Sequence, residues 1–398
     1  MTGSRVLDRV EDLPALRAAY ASFLASGRVL LTGHSHQAWP DVARDALVAS
    51  FDDAARFVDD KWQGAVFPRA QAVGQGVLTR LGFDGGDAIA FGKSTHELVY
   101  RLLTCLPLAD KPRVVTTTSE FHSLRRQLTR LGEEGVAVSW VDAHPREGLA
   151  DRILAALVPG TAMLAMSAVL FDDGYVVPRL GEIAERALSV GALVLIDAYH
   201  AFNVVPIDWG PARDRLYVTA GGYKYAGFGE GICWLRVPAD SALRPVYTGW
   251  FADFGALSGS GDGRVAYGPG GARFSGATFD ASSLYRAHAV LGHWERFGLG
   301  PERLRAISTR QTRRIVDRLD ALGHGAAVIS PREDARRGGF VAVRAGARAD
   351  AIVQRLRGEG VLIDARNEVL RLGPAPYLTD DEIDRGVTAV AGALTSEG

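Results

Sequence analysis

Cysteine is almost missing from this chain: Cys105 and Cys233 are the only two among 398 residues, and each sits inside an apolar run. That excludes a disulfide framework and a cysteine-rich metal centre, and it predicts two buried thiols. A charge excess of either sign is missing too. Lys and Arg number 45 against 46 Asp and Glu, for a net charge of −1, and no basic block occurs. The chain therefore shows no electrostatic footprint for nucleic acid or for an anionic membrane, and a small molecule or another protein is the expected partner. No apolar run is long enough to cross a bilayer. The opening "MTGSRVLDRVEDLPALRAAY" is charged and helical in pattern rather than signal-like, so a cytoplasmic location is expected. Internal repeats and low-complexity tracts are absent as well. His34 and His36 lie two apart with no third ligand suggested nearby, and no metal site is expected.

What is present is glycine, 46 residues, and a hydrophobic fraction of 47%, enough for a large core in two subdomains. From about residue 85 to 236 short β-branched runs alternate with helical patterns. The runs are "DAIAFG", "RVVTTTSE", "VAVSWVD", "TAMLAMSAV", "ALVLID", "RLYVTAG" and "GICWLRV". Apolar strands separated by helices predict a mostly parallel sheet covered on both faces, with sites at the carboxyl ends of its strands. The expected organisation is an N-terminal segment, 1–40, packing with the small domain; a large α/β domain, 41–272; and a small α+β domain, 273–398. Residues 254–272, "FGALSGSGDGRVAYGPGGA", read as an irregular glycine-rich excursion.

Two strand ends carry chemistry. "LIDAYHAFNVVPID" finishes its apolar run on Asp197, and "YVTAGGYKYAGFGEG" delivers Lys224 among glycines. A carboxylate at the end of a buried strand needs a cation. A protonated pyridine nitrogen would serve, and a lysine later in the sheet is placed to form an imine with an aldehyde. Together the two residues describe a pyridoxal phosphate site, with His200 within reach of the ring hydroxyl. The competing reading makes Asp197 a cap and Lys224 a solvated loop lysine. In "FGKSTHELVYRLL", Ser94 and Thr95 open a helix where backbone N–H groups and hydroxyls would hold a phosphate, although an ordinary N-cap explains the same residues. In "TTTSEFHSLRRQL" a strand is predicted to end at Glu120. Phe121 then stacks on the ring or is simply a core phenylalanine.

The ordered set Ser94-Thr95, Glu120-Phe121-His122-Ser123, Asp197-x-x-His200 and Tyr223-Lys224 resembles the class V aminotransferase superfamily of fold-type I pyridoxal phosphate enzymes. Within it the chain looks most like kynureninase. "GHSHQAWP" (33–40) is similar to G-N-S-L-G-x-x-P, "DAYHAFNVVP" to D-L-A-H-A-x-G-N-V, and "GGYKYAGFGEG" to S-Y-K-Y-L-N-x-G-x-G. "TGWFADF" is similar to G-W-F-G-H, and "LRLGPAPYLTDDEID" to I-R-x-A-P-x-P-L-Y-N. The resemblance implies a large domain built on a mostly parallel seven-stranded sheet. It makes Lys224 the Schiff-base lysine, Asp197 the pyridinium partner and His200 a ring-hydroxyl neighbour. Tyr223 becomes a phosphate ligand and an acid toward the substrate. Arg371 becomes the clasp of the α-carboxylate, and Ser35 and Trp250 become substrate neighbours. Thr278 would reach the phosphate of the neighbouring subunit, which implies a homodimer with a shared active site.

Two positions depart from the kynureninase pattern. Gly276 stands where an asparagine is usual, and Asp253 replaces the histidine of G-W-F-G-H. Both fall where the substrate side chain would be read, while the cofactor residues are intact. The resemblance therefore implies kynureninase-like hydrolytic Cβ–Cγ cleavage of an α-amino acid, with a substrate other than kynurenine allowed. Transamination is the alternative. A non-catalytic cofactor-binding regulator is disfavoured because no DNA-binding domain or basic surface is visible. Cysteine desulfurase chemistry is disfavoured because neither Cys105 nor Cys233 falls on a C-terminal loop.

Overall fold

The computed structural model describes residues 7–83, 88–256 and 263–396. The glycine-rich excursion is thus described only at its two ends, and a lid formed by residues 257–262 lies outside the described residues. Two short helices, Leu13–Ala18 and Ala21–Leu24, precede a short strand, β1 (Val29–Leu30), after which the chain builds the central sheet. That sheet comprises β2 (Ala88–Gly92), β3 (Arg113–Thr117), β4 (Ala137–Val141), β5 (Thr161–Ser167), β6 (Leu193–Asp197), β7 (Tyr217–Gly221) and β8 (Cys233–Val237). Its seven strands lie in the order β2-β8-β7-β6-β5-β3-β4.

Five neighbours, β7-β6-β5-β3-β4, run parallel, joined by crossovers that place helices on the faces, and β5 and β7 are buried along their whole length. This is why those runs are continuously apolar rather than alternating. β8 is antiparallel to both β7 and β2. The link from β7 to β8 is a short glycine-rich excursion without a helix, so the chain turns back instead of crossing over. Lys224 rides on that excursion.

A second, smaller layer forms from β9 (Val341–Arg344), β10 (Val361–Leu362), β11 (Asp364–Arg366) and β12 (Val369–Leu372). β11-β12-β9 make an antiparallel sheet, and β10 pairs in parallel with β1. The N-terminal segment is tied to this layer further by a bridge between Thr32 and Gly373 and by Arg17, whose guanidinium bonds both oxygens of Glu382 at 2.7 and 2.9 Å. The helix Ser282–Arg296 packs against the helices Val42–Phe57 and Phe67–Leu81. The last helix, Asp380–Thr395, starts from a complete capping box between Thr379 and Glu382.

Two boundaries differ from the sequence reading. β3 stops at Thr117, not Glu120. Its ladder ends when the Thr118 N–H reaches the Val141 carbonyl, and Glu120 turns inward beneath the sheet edge. Cys105 lies past the end of the helix Thr95–Leu103 and is only half-buried, whereas Cys233 is buried. Among the described residues no helix is long and apolar enough to cross a membrane.

Candidate active site

β6 ends on Asp197 for a local reason. The Asp197 carboxylate accepts the Tyr199 N–H two residues on, at 2.8 Å. This side-chain turn replaces the next ladder bond and swings His200 back toward the sheet edge. One strand over, β7 ends at Gly221. The Gly222 N–H bonds the Ile232 carbonyl at 2.8 Å, and the Gly227 N–H bonds the Lys224 carbonyl at 2.9 Å. The turn is built from glycine of necessity: Gly227, Gly229 and Gly231 all have positive φ, and a Cβ on Gly222 would lie 2.6 Å from the Gly229 carbonyl oxygen. Lys224 is thereby aimed back over the carboxyl ends of β6 and β7.

Its amine is buried. Nζ lies 2.8 Å from Nε2 of His200, 5.2 Å from the centre of the Phe121 ring and 4.6 Å from that of Tyr199. Burial brings the Lys224 amine down to about 7, with Asp197 opposing and Arg371 adding to the effect. Burial also raises the Asp197 carboxyl, against the Tyr199 N–H and Lys224. His200 is held well below the ordinary imidazole value by burial and then by Lys224, so it is neutral and accepts from the amine. Burial raises the phenol of Tyr223. That phenol therefore stays protonated at neutral pH.

A small cleft opens beside Phe121 and Asp197, lined also by Thr95 and Thr219 among others. Thr95 is the first residue of its helix, so the positive end of that helix lies at the cleft, which Thr95 and His96 line. Ser94 serves as the N-cap: its hydroxyl accepts the Glu97 N–H at 3.3 Å, which is the ordinary structural use of such a residue. Phe121 precedes the helix His122–Glu133 and meets Phe171 edge-on at 5.9 Å.

Arg371 is buried on β12, directly across from Asp364. Its Nε and Nη2 donate to the two Asp364 oxygens at 3.0 and 2.6 Å, and Nη1 donates to the Phe171 carbonyl at 2.9 Å. The hydroxyl of Ser35 is spent on the Thr32 carbonyl at 3.2 Å. Trp250 and Thr278 are exposed and do not line the cleft of their own chain. They border an aromatic patch of Trp62, Phe67, Phe251, Phe254 and Phe279.

Sequence reasoning missed several residues that the fold brings here. Glu120 is buried and accepts from the hydroxyls of Thr117 and Ser167, both at 2.6 Å, and burial raises it to about 7. Thr219, His96 and Gln127 line the cleft. His34 and Asp364 stand behind Arg371. The signal for Asp364 was present in "VLIDARNEVLRLGP": a hairpin register that sets an aspartate against an arginine. Gly276 also has a structural reason, since the guanidinium of Arg101 fills the space its side chain would need. Arg101 is fixed there by Glu97 at 2.5 Å and by the Phe274 carbonyl.

Comparison with known proteins gives three kinds of match. The kynureninase C-terminal domain family model matches residues 304–390. An aminotransferase of Bacillus subtilis (strain 168), YcbU, is 28% identical over 316 residues, covering 77% of this chain and 79% of that one. A kynureninase of Salinispora tropica is 28% identical over 274 residues, covering 61% of this chain and 58% of that one. Among solved structures, a C-DES mutant with glycine covalently linked to its pyridoxal phosphate cofactor superposes with a TM-score of 0.81 at 18% identity, covering 94% of this chain and 98% of that one. The fold is that of the fold-type I enzymes.

Proposed function

We infer that this chain is a pyridoxal-phosphate-dependent enzyme of the class V aminotransferase superfamily, related to kynureninases, aminotransferases and cysteine desulfurases, and that it cleaves the Cβ–Cγ bond of an α-amino acid. The family and the cofactor are what the comparisons support. The observation that carries the reading on this chain's own residues is the desolvated Lys224 amine between His200 and Phe121, beside the strand-end carboxylate of Asp197. A lysine near neutrality at physiological pH is a competent nucleophile, and a partly buried aspartate near a lysine awaits a second cation.

The residues fit the cofactor as follows. Thr95 and the first turn of its helix would hold the phosphate, Phe121 would stack on the ring, and Asp197 would keep the ring nitrogen protonated. His200 would neighbour the ring hydroxyl and Lys224 would take the aldehyde. Bound there, pyridoxal phosphate supplies an aldehyde that condenses with amines and a ring that accepts electrons. The remaining work falls to the protein. Arg371 clasps the substrate α-carboxylate through the N–H groups left free on Nη1 and Nη2. The Lys224 amine would carry the proton of the α-carbon. Tyr223, still protonated, would donate to Cβ, which stays with the amino acid, once water has added to the γ-carbonyl and Cγ has left as a carboxylic acid. Thr278 and Trp250 serve the site of a partner subunit in a homodimer, with the exposed aromatic patch as part of the interface.

Arg101 occupies the space of the family's usual asparagine, and Asp253 replaces a histidine, so we expect kynurenine to be turned over slowly and a differently shaped amino acid to be preferred. The test is a steady-state comparison of kynurenine, 3-hydroxykynurenine and a panel of other amino acids, following alanine and keto-acid release separately. Alanine release from a panel member at rates above kynurenine is the expected result. Efficient alanine release from kynurenine would overturn the altered specificity. Stoichiometric keto acid with accumulation of pyridoxamine phosphate would replace hydrolysis by transamination.

A further inference from the structure

Arg371 is committed before any substrate arrives. Three of the five N–H donors of a guanidinium are taken, by both Asp364 oxygens and by the Phe171 carbonyl, which leaves one on each terminal nitrogen. An arginine so fully bonded is either blocked or aimed. The bonding pattern favours aiming. Asp364 takes the Nε–Nη2 edge side-on, and the two free N–H groups lie on the nitrogens of the opposite edge, the fork that pairs with a second carboxylate.

Asp364 is itself held from behind. Nε2 of His34 lies 2.9 Å from the same Asp364 oxygen that accepts from Nε of Arg371. The His34 ring is fully buried and stacked at 4.8 Å on Phe340, and the Arg371 guanidinium lies over that same Phe340 ring, 5.6 Å from its centre. Nδ1 of His34 has no hydrogen-bond partner among the described residues and faces the backbone of Gly373, so the ring has one donor to give and Asp364 is where it goes. Burial holds His34 at about 4, which makes it a neutral donor at physiological pH. A more distant guanidinium, Arg366 on the same strand, approaches Asp364 only to 3.9 Å and is half-exposed. His34 comes from the N-terminal segment, at the position where the resembled motif carries asparagine; Asp364 and Arg371 come from the C-terminal sheet.

We propose that Asp364 is a positioning residue that aims Arg371 at the substrate α-carboxylate, and that His34 fixes Asp364 across the join between the N-terminal segment and the C-terminal sheet. The proposal rests on the reading of Arg371 as the carboxylate clasp. It makes a prediction that a merely structural salt bridge does not: loss of Asp364 must penalise ligands in proportion to their carboxylate and leave amines untouched.

The experiment is a spectral titration of the cofactor-loaded enzyme with L-alanine and with ethylamine, which differ by the carboxylate. Wild type is expected to prefer alanine. Asp364→Asn sets an amide against the guanidinium fork and is expected to cut the preference roughly tenfold or more, while ethylamine affinity is unchanged. His34→Phe keeps the ring stack but removes the donor and is expected to cut the preference in part; His34→Asn, which restores a donor, is expected to recover it. The same variants are expected to raise KM with kcat retained. Equal weakening of both ligands, or an unchanged preference, would overturn the proposal. If Asp364→Asn does not fold, His34→Phe and its asparagine counterpart decide by the same criteria. No spectral response of the wild type to either ligand would instead refute the cofactor reading, and the proposal with it.

Discussion

Asp197, the last residue of β6, and Glu120, three residues past the end of β3, are two carboxyls put to opposite uses. In the proposed site Asp197 would be ionised to hold a proton on a ring nitrogen; Asp197→Ala is expected to leave the cofactor attachable while lowering turnover by about 10²–10³-fold, as for removal of a preorganised electrostatic partner. Steady-state rates on the cofactor-saturated variant check this, and activity within a few-fold of wild type would give the ring nitrogen another partner. Glu120 sits among hydroxyls with no cation paired to it among the described residues, and burial raises it from its ordinary value to about 7. A carboxyl raised in the folded state contributes stability fully below its unfolded value and loses it as pH climbs through the folded one. Glu120→Gln mimics the protonated form, so the variant should match wild type near pH 4 and exceed it above pH 7 by on the order of 2–3 kcal/mol at most. Urea melts across that range measure the gap, and a gap that shrinks with rising pH would contradict the assignment. Lysine, aspartate and histidine were legible in the sequence because each follows an apolar run. Glu120, His34 and Asp364 were not, because their partners are set by turns and by contacts across 330 residues in the case of His34 and Asp364.

At the scale of elements, the alternation of apolar runs and helical patterns made the parallel core of the sheet readable, since strands buried on both faces must be apolar throughout. The reversal of β8 was less visible: nothing in "CWLRV" distinguishes an antiparallel strand from a parallel one, and only the shortness of the connection reveals it. That same connection carries Lys224 and has no room to move. Gly222→Ala would push a Cβ onto the Gly229 carbonyl, a backbone atom that cannot rotate away. The expected cost is about 1–3 kcal/mol of stability, with a larger loss of cofactor attachment because the loop shifts as a unit. Denaturant melts alongside cofactor absorbance separate the two effects. Ser94 illustrates how one residue serves two readings, its hydroxyl being the cap of the helix whose first turn faces the cleft. Ser94→Ala is therefore expected to cost about 1 kcal/mol even without cofactor, as for other lost N-caps.

At the scale of the whole molecule, the exposed side chains of Trp250, Phe254 and Phe279, at 44%, 41% and 39% of their surface, form one aromatic patch on the face that also carries Thr278. A composition-based reading sees only aromatic residues here; which of them stay outside is decided by the fold. The proposed homodimer covers this patch, and Phe279→Asp is expected to yield a monomer in analytical ultracentrifugation with little activity, while a dimeric variant of full activity would remove the patch from the interface. Asp197, His200, Phe121 and Arg371 acquire their proposed roles only around Lys224, the proposed carrier of the cofactor. The direct measurement is borohydride reduction of the purified, cofactor-saturated protein followed by peptide mapping. The predicted result is a single pyridoxyl label on the peptide containing Lys224; label on another lysine, or no label at all, would contradict it.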